Sequence, residues 1–176
     1  MAQTFPTLAS LPLEPYLVEG ELTSAFDGQV GIYAIFDEAQ SLQYIGYSRD
    51  IGLGLKQHLV RCPSGCHWVK GYTVTRPSRT LLDEIRAAWL READGLPPGN
   101  GPEQTRWEKP IDAKQFMTEA ERHALNQADP AQNTKLLKQL ARRVEADVKA
   151  KVEARGASMA LRFNPKLKEQ GLLDLK

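Results

Sequence analysis

Cysteine, histidine and net charge are all scarce in this chain. Its 176 residues hold two cysteines and three histidines, with a net charge of +1. Cys62 and Cys66, with no export signal, read as reduced thiols and exclude a disulfide-stapled secreted scaffold. A near-neutral chain lacks the broad positive field on which nonspecific nucleic-acid binding rests, although a local basic surface stays open. No apolar run approaches the roughly 18 residues that a membrane-spanning helix needs. The start, Met1-Ala2-Gln3-Thr4-Phe5-Pro6, has neither a basic n-region nor a long apolar core, so it is not expected to be a secretory signal. The expectation is a cytoplasmic protein with no membrane or secreted partner. What is present is ordinary: 41% hydrophobic and 26% charged residues suit one globular domain, or a small domain with appended helices.

Residues 1–28 read as an N-terminal arm, because the prolines in Leu11-Pro12-Leu13-Glu14-Pro15-Tyr16 remove donors that a helix needs. A short helix or turn is expected near Leu22 to Phe26, and Asp27-Gly28 is a turn signal. Val30–Phe36 and Leu42–Tyr47 read as strands joined by Asp37-Glu38-Ala39-Gln40-Ser41. A helix capped by Ser48 or Asp50 then runs to about Val60, weakened by Gly52 and Gly54. His67–Thr75 is a third strand and Thr80–Ala93 a second helix; the Gly/Pro-rich stretch from Gly95 to Pro102 closes the unit. Residues 102–176 read as a helical extension that packs on the core or on a partner. It carries a Thr-x-x-Glu capping box at Thr118 and a long helix over about 131–155 with Leu140, Val144, Val148 and Val152 on one stripe. The tryptophans, Trp68, Trp89 and Trp107, read as core or domain-joining residues.

Gly31-Ile32-Tyr33, ten residues, then Tyr44-Ile45-Gly46 is the sharpest signal in the chain. Set in a β-β-α-β-α order over residues 29–101, with His58 closing the first helix and an acid on the second, this pair resembles the GIY-YIG nuclease superfamily. Tyr47-Ser48-Arg49 and Pro97-Pro98-Gly99-Asn100 look like the branch found in cyanobacteria and plastids. The resemblance implies an α+β fold with a small three-stranded antiparallel sheet flanked by helices. It also implies a DNA endonuclease that hydrolyses phosphodiesters with one Mg²⁺ or Mn²⁺ ion. By the same resemblance Tyr33 and Tyr44 supply the phenols and Glu84 the metal carboxylate, with Asp83 as competitor. His58 stands at the helix end, Gly31 and Gly46 support the site, and Asn100 ties the loop back to the sheet.

The position where active members carry an arginine is Gly54. Arg49, from the helix start, is the cation that can replace it, since Lys56 is rotated by roughly 200°. Catalytic competence is therefore in question, and an inactive nucleic-acid- or protein-binding module is the alternative. Lys135, Lys138, Arg142 and Arg143 on the long helix are candidate DNA contacts, against a plainer reading as a solvated helix face. His58, Cys62, Cys66 and His67 lie within ten residues, but their spacing follows no common zinc pattern. The plainer readings of Tyr33 and Tyr44 as strand aromatics, His58 as a core-edge residue and Glu84 as a solvated helix residue stand beside the catalytic ones.

Overall fold

Apolar side chains on both faces of Gly31–Phe36 bury that run almost completely, and the chain is built outward from it. The computed structural model describes residues 5–176; residues 1–4, where the expected N-terminal arm begins, lie outside the described residues. In chain order the elements are strands β1 (Glu14–Pro15), β2 (Leu17–Val18), β3 (Glu21–Leu22), β4 (Gly31–Phe36) and β5 (Leu42–Ser48), helix α1 (Ile51–Arg61), β6 (Trp68–Thr73) and α2 (Arg79–Glu92). There follow α3 (Gln104–Glu108), β7 (Ile111–Asp112), α4 (Glu119–Gln127), α5 (Pro130–Ala154), α6 (Pro165–Lys168) and β8 (Leu172–Leu173). Short 3₁₀ turns occupy Pro63–Gly65, Pro98–Asn100 and Ala113–Phe116.

The fold is α+β. Its main sheet is antiparallel with the order β1-β6-β4-β5. The sequence predicts three strands; the fourth is part of the arm, where Glu14 and Pro15 pair with Val69 and Trp68. Proline has no N–H to give to a ladder, so Pro15 is tolerated because β1 is an edge. The β2–β3 and β7–β8 ladders, two residues per strand, are too short to leave an alternating pattern in the sequence.

Alternation along β4 divides the interior in two. Tyr33 and Ile35 face one way, into a cluster with Ile51, Leu55 and Leu59 of α1. Ile32 and Ala34 face the other way, into a cluster with Leu82, Ile85 and Trp89 of α2. The two helices thus cover opposite faces of the sheet. Each has a side-chain cap: Asp50 accepts from Leu53 N–H and Ser78 from Leu81 N–H, which satisfies first-turn donors that have no intrahelical partner.

Residues 102–176 complete the first cluster. Leu140, Ala141, Val144, Val148 and Val152 of α5 are buried in it, together with Trp107, Phe163, Leu173 and Leu175. The start of α5 is fixed by Pro130 in the first turn and a capping box between Asp129 and Gln132. The tail is tied back by Arg61, whose Nη2 contacts both carboxylate oxygens of Asp174 at 3.0 and 2.9 Å, while Nη1 donates to the Trp107 carbonyl.

Candidate functional site

The paired strands bring Tyr33 and Tyr44 together. In the antiparallel register Tyr33 lies opposite Gly46 and Tyr44 opposite Ile35, so both rings project to the α1 face, with centroids 6.2 Å apart. Gly46 has no room for a side chain: a Cβ there would stand 2.5 Å from the Tyr44 ring. Gly31 is equally confined, against the Tyr72 carbonyl on β6.

His58 comes up from the last turn of α1 between the two phenols. Its Nε2 is 2.8 Å from the Tyr33 hydroxyl, and its ring lies 4.7 Å from that of Tyr44 and 5.6 Å from that of Trp107. Tyr44 stacks on Trp107 at 5.5 Å with the ring planes 9° apart, and its hydroxyl donates to Glu108 Oε1 at 3.1 Å. The result is a packed run of polar groups: Glu108, Tyr44, His58 and Tyr33. Trp107 and Glu108 escape the motif-based prediction because they sit more than sixty residues beyond Tyr44, on a five-residue helix. The only signal for them is the aromatic–acid pair Trp107-Glu108 just before Pro110.

Burial sets the electrostatics of the cluster. It lowers the His58 imidazole to about 3, the Arg61 charge pushes in the same direction, and the Trp107 main chain opposes both. His58 Nδ1 is buried without a hydrogen-bond partner among the described residues. Burial also raises Tyr33 well above its ordinary value, and the neighbouring Tyr44 adds to the rise. Tyr44 is raised by burial and then by the Glu108 carboxylate. All three side chains are therefore neutral across the physiological range, since burial penalises whichever form is charged.

The thiols share this condition. Burial pushes Cys62 up to about 12 and raises Cys66 further. Arg155 at the end of α5 pins the turn between them by donating to the Pro63 and Cys66 carbonyls.

The remaining candidates are dispersed. Glu84 is exposed on α2, whose apolar face covers the side of the sheet away from the phenols. Its competitor Asp83 accepts from the Tyr47 hydroxyl at 2.9 Å and pairs with Arg86 at 3.1 Å. Arg49 lies at the bend before α1 and makes no hydrogen bond or ion pair among the described residues. The Gly54 Cα faces the site, and a Cβ there would come within 3.2 Å of the Tyr33 hydroxyl. Asn100 closes on β5: its Oδ1 accepts from Ile45 N–H and its Nδ2 donates to the Ile45 carbonyl, both at 2.8 Å.

Among the described residues no group of three or more His, Cys, Asp or Glu is placed to hold a metal, at Glu84, the residue expected to bind Mg²⁺ or Mn²⁺, or elsewhere. This applies equally to His58, Cys62, Cys66 and His67. On α5, Lys138 pairs with Glu169 at 3.2 Å and Arg143 with Glu121 at 2.8 Å, whereas Lys135 and Arg142 stay exposed and unpaired among the described residues.

No family model matches the chain. A curated protein similar to it is the "Bifunctional monothiol glutaredoxin-S16, chloroplastic" of Arabidopsis thaliana, 34% identical over 74 residues, which make up 40% of this chain and 25% of that protein. The chain thus spans a quarter of the length of that relative. Its name is that of a redox protein, and this comparison overturns the resemblance drawn from the paired tripeptides. The GIY-YIG assignment is corrected accordingly. The metal-dependent endonuclease function and the hydrolase, nuclease, DNA-binding and metal-binding descriptions attached to it are withdrawn.

Proposed function

We propose that this chain is a partner-binding module that performs no chemistry itself and works beside a thiol-bearing redox protein. One observation carries the proposal: Tyr33, Tyr44, His58, Cys62 and Cys66 are all buried and held neutral. A thiol acts as a nucleophile only as the thiolate, and buried apolar surroundings suppress that form. The relative's name supplies the redox context, so the reactive thiol belongs to another polypeptide.

The surface best suited to a partner lies between α4 and α5. Met117, Leu125, Leu136, Leu137 and Leu140 line a cavity of about 220 Å³, with Glu121 and Arg143 also on its wall. Phe116, next in the chain to Met117, is 52% exposed. Small-molecule pockets usually measure roughly 300–1,000 Å³; a smaller apolar cleft suits side chains of a protein. Cytoplasmic placement stays part of the proposal; among the described residues no helix is long and apolar enough to cross a membrane.

Calorimetric titration of the full chain with a monothiol glutaredoxin domain tests this, together with an assay for reduction of a glutathione mixed disulfide. Binding that Leu136→Asp abolishes, with no turnover by the chain alone, is the expected result. Disulfide turnover by the chain alone, or no complex with the probe, would overturn it. So would salt-sensitive binding to duplex DNA in place of the glutaredoxin.

A further inference from the structure

The segment from Pro97 to Gly101 lies over β5, the exposed edge of the main sheet. An edge strand presents main-chain donors and acceptors that need a cover. Here the cover is a side chain: the Asn100 amide takes the Ile45 N–H and gives a proton to the Ile45 carbonyl. It stands in for one residue of a fifth strand. Gly99 lies close to the same edge, where a Cβ would meet the Gln43 carbonyl at 2.7 Å.

Asn100 is followed by Gly101, whereas Asn126 precedes Gln127, Asn133 precedes Thr134 and Asn164 precedes Pro165. A glycine leaves the following peptide nitrogen sterically free, and its backbone adopts conformations that other residues resist. In such a pair that nitrogen can attack the side-chain amide carbon. A new C–N bond forms, ammonia departs, and water opens the cyclic imide to aspartate or isoaspartate. The folded chain opposes this route. Both ends of the Asn100 amide are held by Ile45, and the Gly101 N–H is donated to the Pro98 carbonyl at 3.2 Å.

We propose that Asn100 is a deamidation site, guarded by its own hydrogen bonds, that makes an opening of the 97–101 loop permanent. Once the loop lifts, the amide and the Gly101 nitrogen are both free to react. The product carboxylate has no N–H for the Ile45 carbonyl and sets a negative charge against it, so the clamp does not re-form and the β5 edge stays uncovered.

The test uses the full chain in mildly alkaline buffer, with and without urea below the unfolding midpoint, beside a synthetic peptide spanning residues 96–104. Peptide mass spectrometry follows conversion at Asn100, Asn126 and Asn133. Conversion of Asn100 in buffer is expected to be at least about tenfold slower than in the peptide, which corresponds to a local opening free energy of about 1.4 kcal/mol or more. In urea Asn100 is expected to convert ahead of the other two. Equal rates in peptide and native protein, or conversion of Asn126 or Asn133 ahead of Asn100 in urea, would overturn the proposal. Asn100→Asp supplies the product directly: faster hydrogen exchange at Ile45 is expected, and unchanged exchange would refute the permanent release. The rate comparison on the unaltered chain needs no variant and stands even if this one fails to fold.

Discussion

The Tyr33 hydroxyl and His58 Nε2 are 2.8 Å apart in the interior, and neither side chain is charged there. Burial removes the imidazolium's hydration, and Arg61 repels a second positive charge. The two groups hold strand β4 to helix α1, and they are protected from solvent by Trp107, Tyr44 and α5.

This pair makes stability depend on pH. His58 titrates near 3 in the folded chain and near 6.5 when unfolded. Between those values the unfolded chain binds the extra proton, so stability rises with pH through this window and falls as pH drops through 6.5. The slope is expected to reach up to about 1.4 kcal/mol per pH unit below the unfolded value. Urea midpoints measured from neutral to mildly acidic pH check it. His58→Gln should flatten the slope; an unchanged slope in that variant would show that His58 is not its source.

Two glycines that look alike in the sequence should respond differently to alanine. At Gly46 a Cβ would stand 2.5 Å from the Tyr44 ring, which is held by Trp107 and Glu108. Gly46→Ala is therefore expected to cost about 1–3 kcal/mol by overpacking. At Gly54 the nearest atom is the Tyr33 hydroxyl at 3.2 Å. Alanine gains about 1 kcal/mol in helix propensity there, which offsets the tight contact, so Gly54→Ala should be close to neutral. Thermal unfolding of the two variants side by side settles the order.

Arg61 and Asp174 join α1 to the C-terminal tail with little exposure, 7% and 16% at the side chains. Removing one partner strands a buried charge. Asp174→Ala should destabilise by about 3–5 kcal/mol, and chemical denaturation would measure it. Arg61 Nε already lacks an acceptor among the described residues, so without Asp174 the guanidinium keeps only the Nη1 bond to the Trp107 carbonyl.

The N-terminal arm is held by a carboxylate fork. Glu92 accepts from Leu8 N–H at 2.8 Å and Ala9 N–H at 2.7 Å, and Trp89 Nε1 donates to the Pro6 carbonyl. Glu92→Ala should loosen the arm from α2 at a cost of about 1 kcal/mol. Trp89, the largest buried residue of that cluster, reports the change as a red shift in emission when solvent reaches it.

The elements with long, regular patterns were legible before the structure. β4 read as a strand, and α5 as a helix with Leu140, Val144, Val148 and Val152 on one stripe, because local spacing alone reveals a buried face. Tyr33 and Tyr44 were legible as a pair because two adjacent strands bring them together; His58 was joined to them only through the family resemblance. Glu108, Trp107 and Asp174 were not, since their partners are 46 to 113 residues away and local pattern carries no record of such a contact. Glu84 lies apart from the phenols because α2 covers the opposite face of the sheet, which a motif cannot indicate.

Accessibility of the two thiols in the native protein tests the central claim most directly. Cys62 and Cys66 are 2% and 0% exposed, and burial holds Cys62 up to about 12. A chromogenic disulfide reagent added at mildly alkaline pH should react with neither thiol until urea unfolds the chain, after which both react. Rapid reaction of either cysteine in the folded protein would contradict a sealed, non-catalytic core.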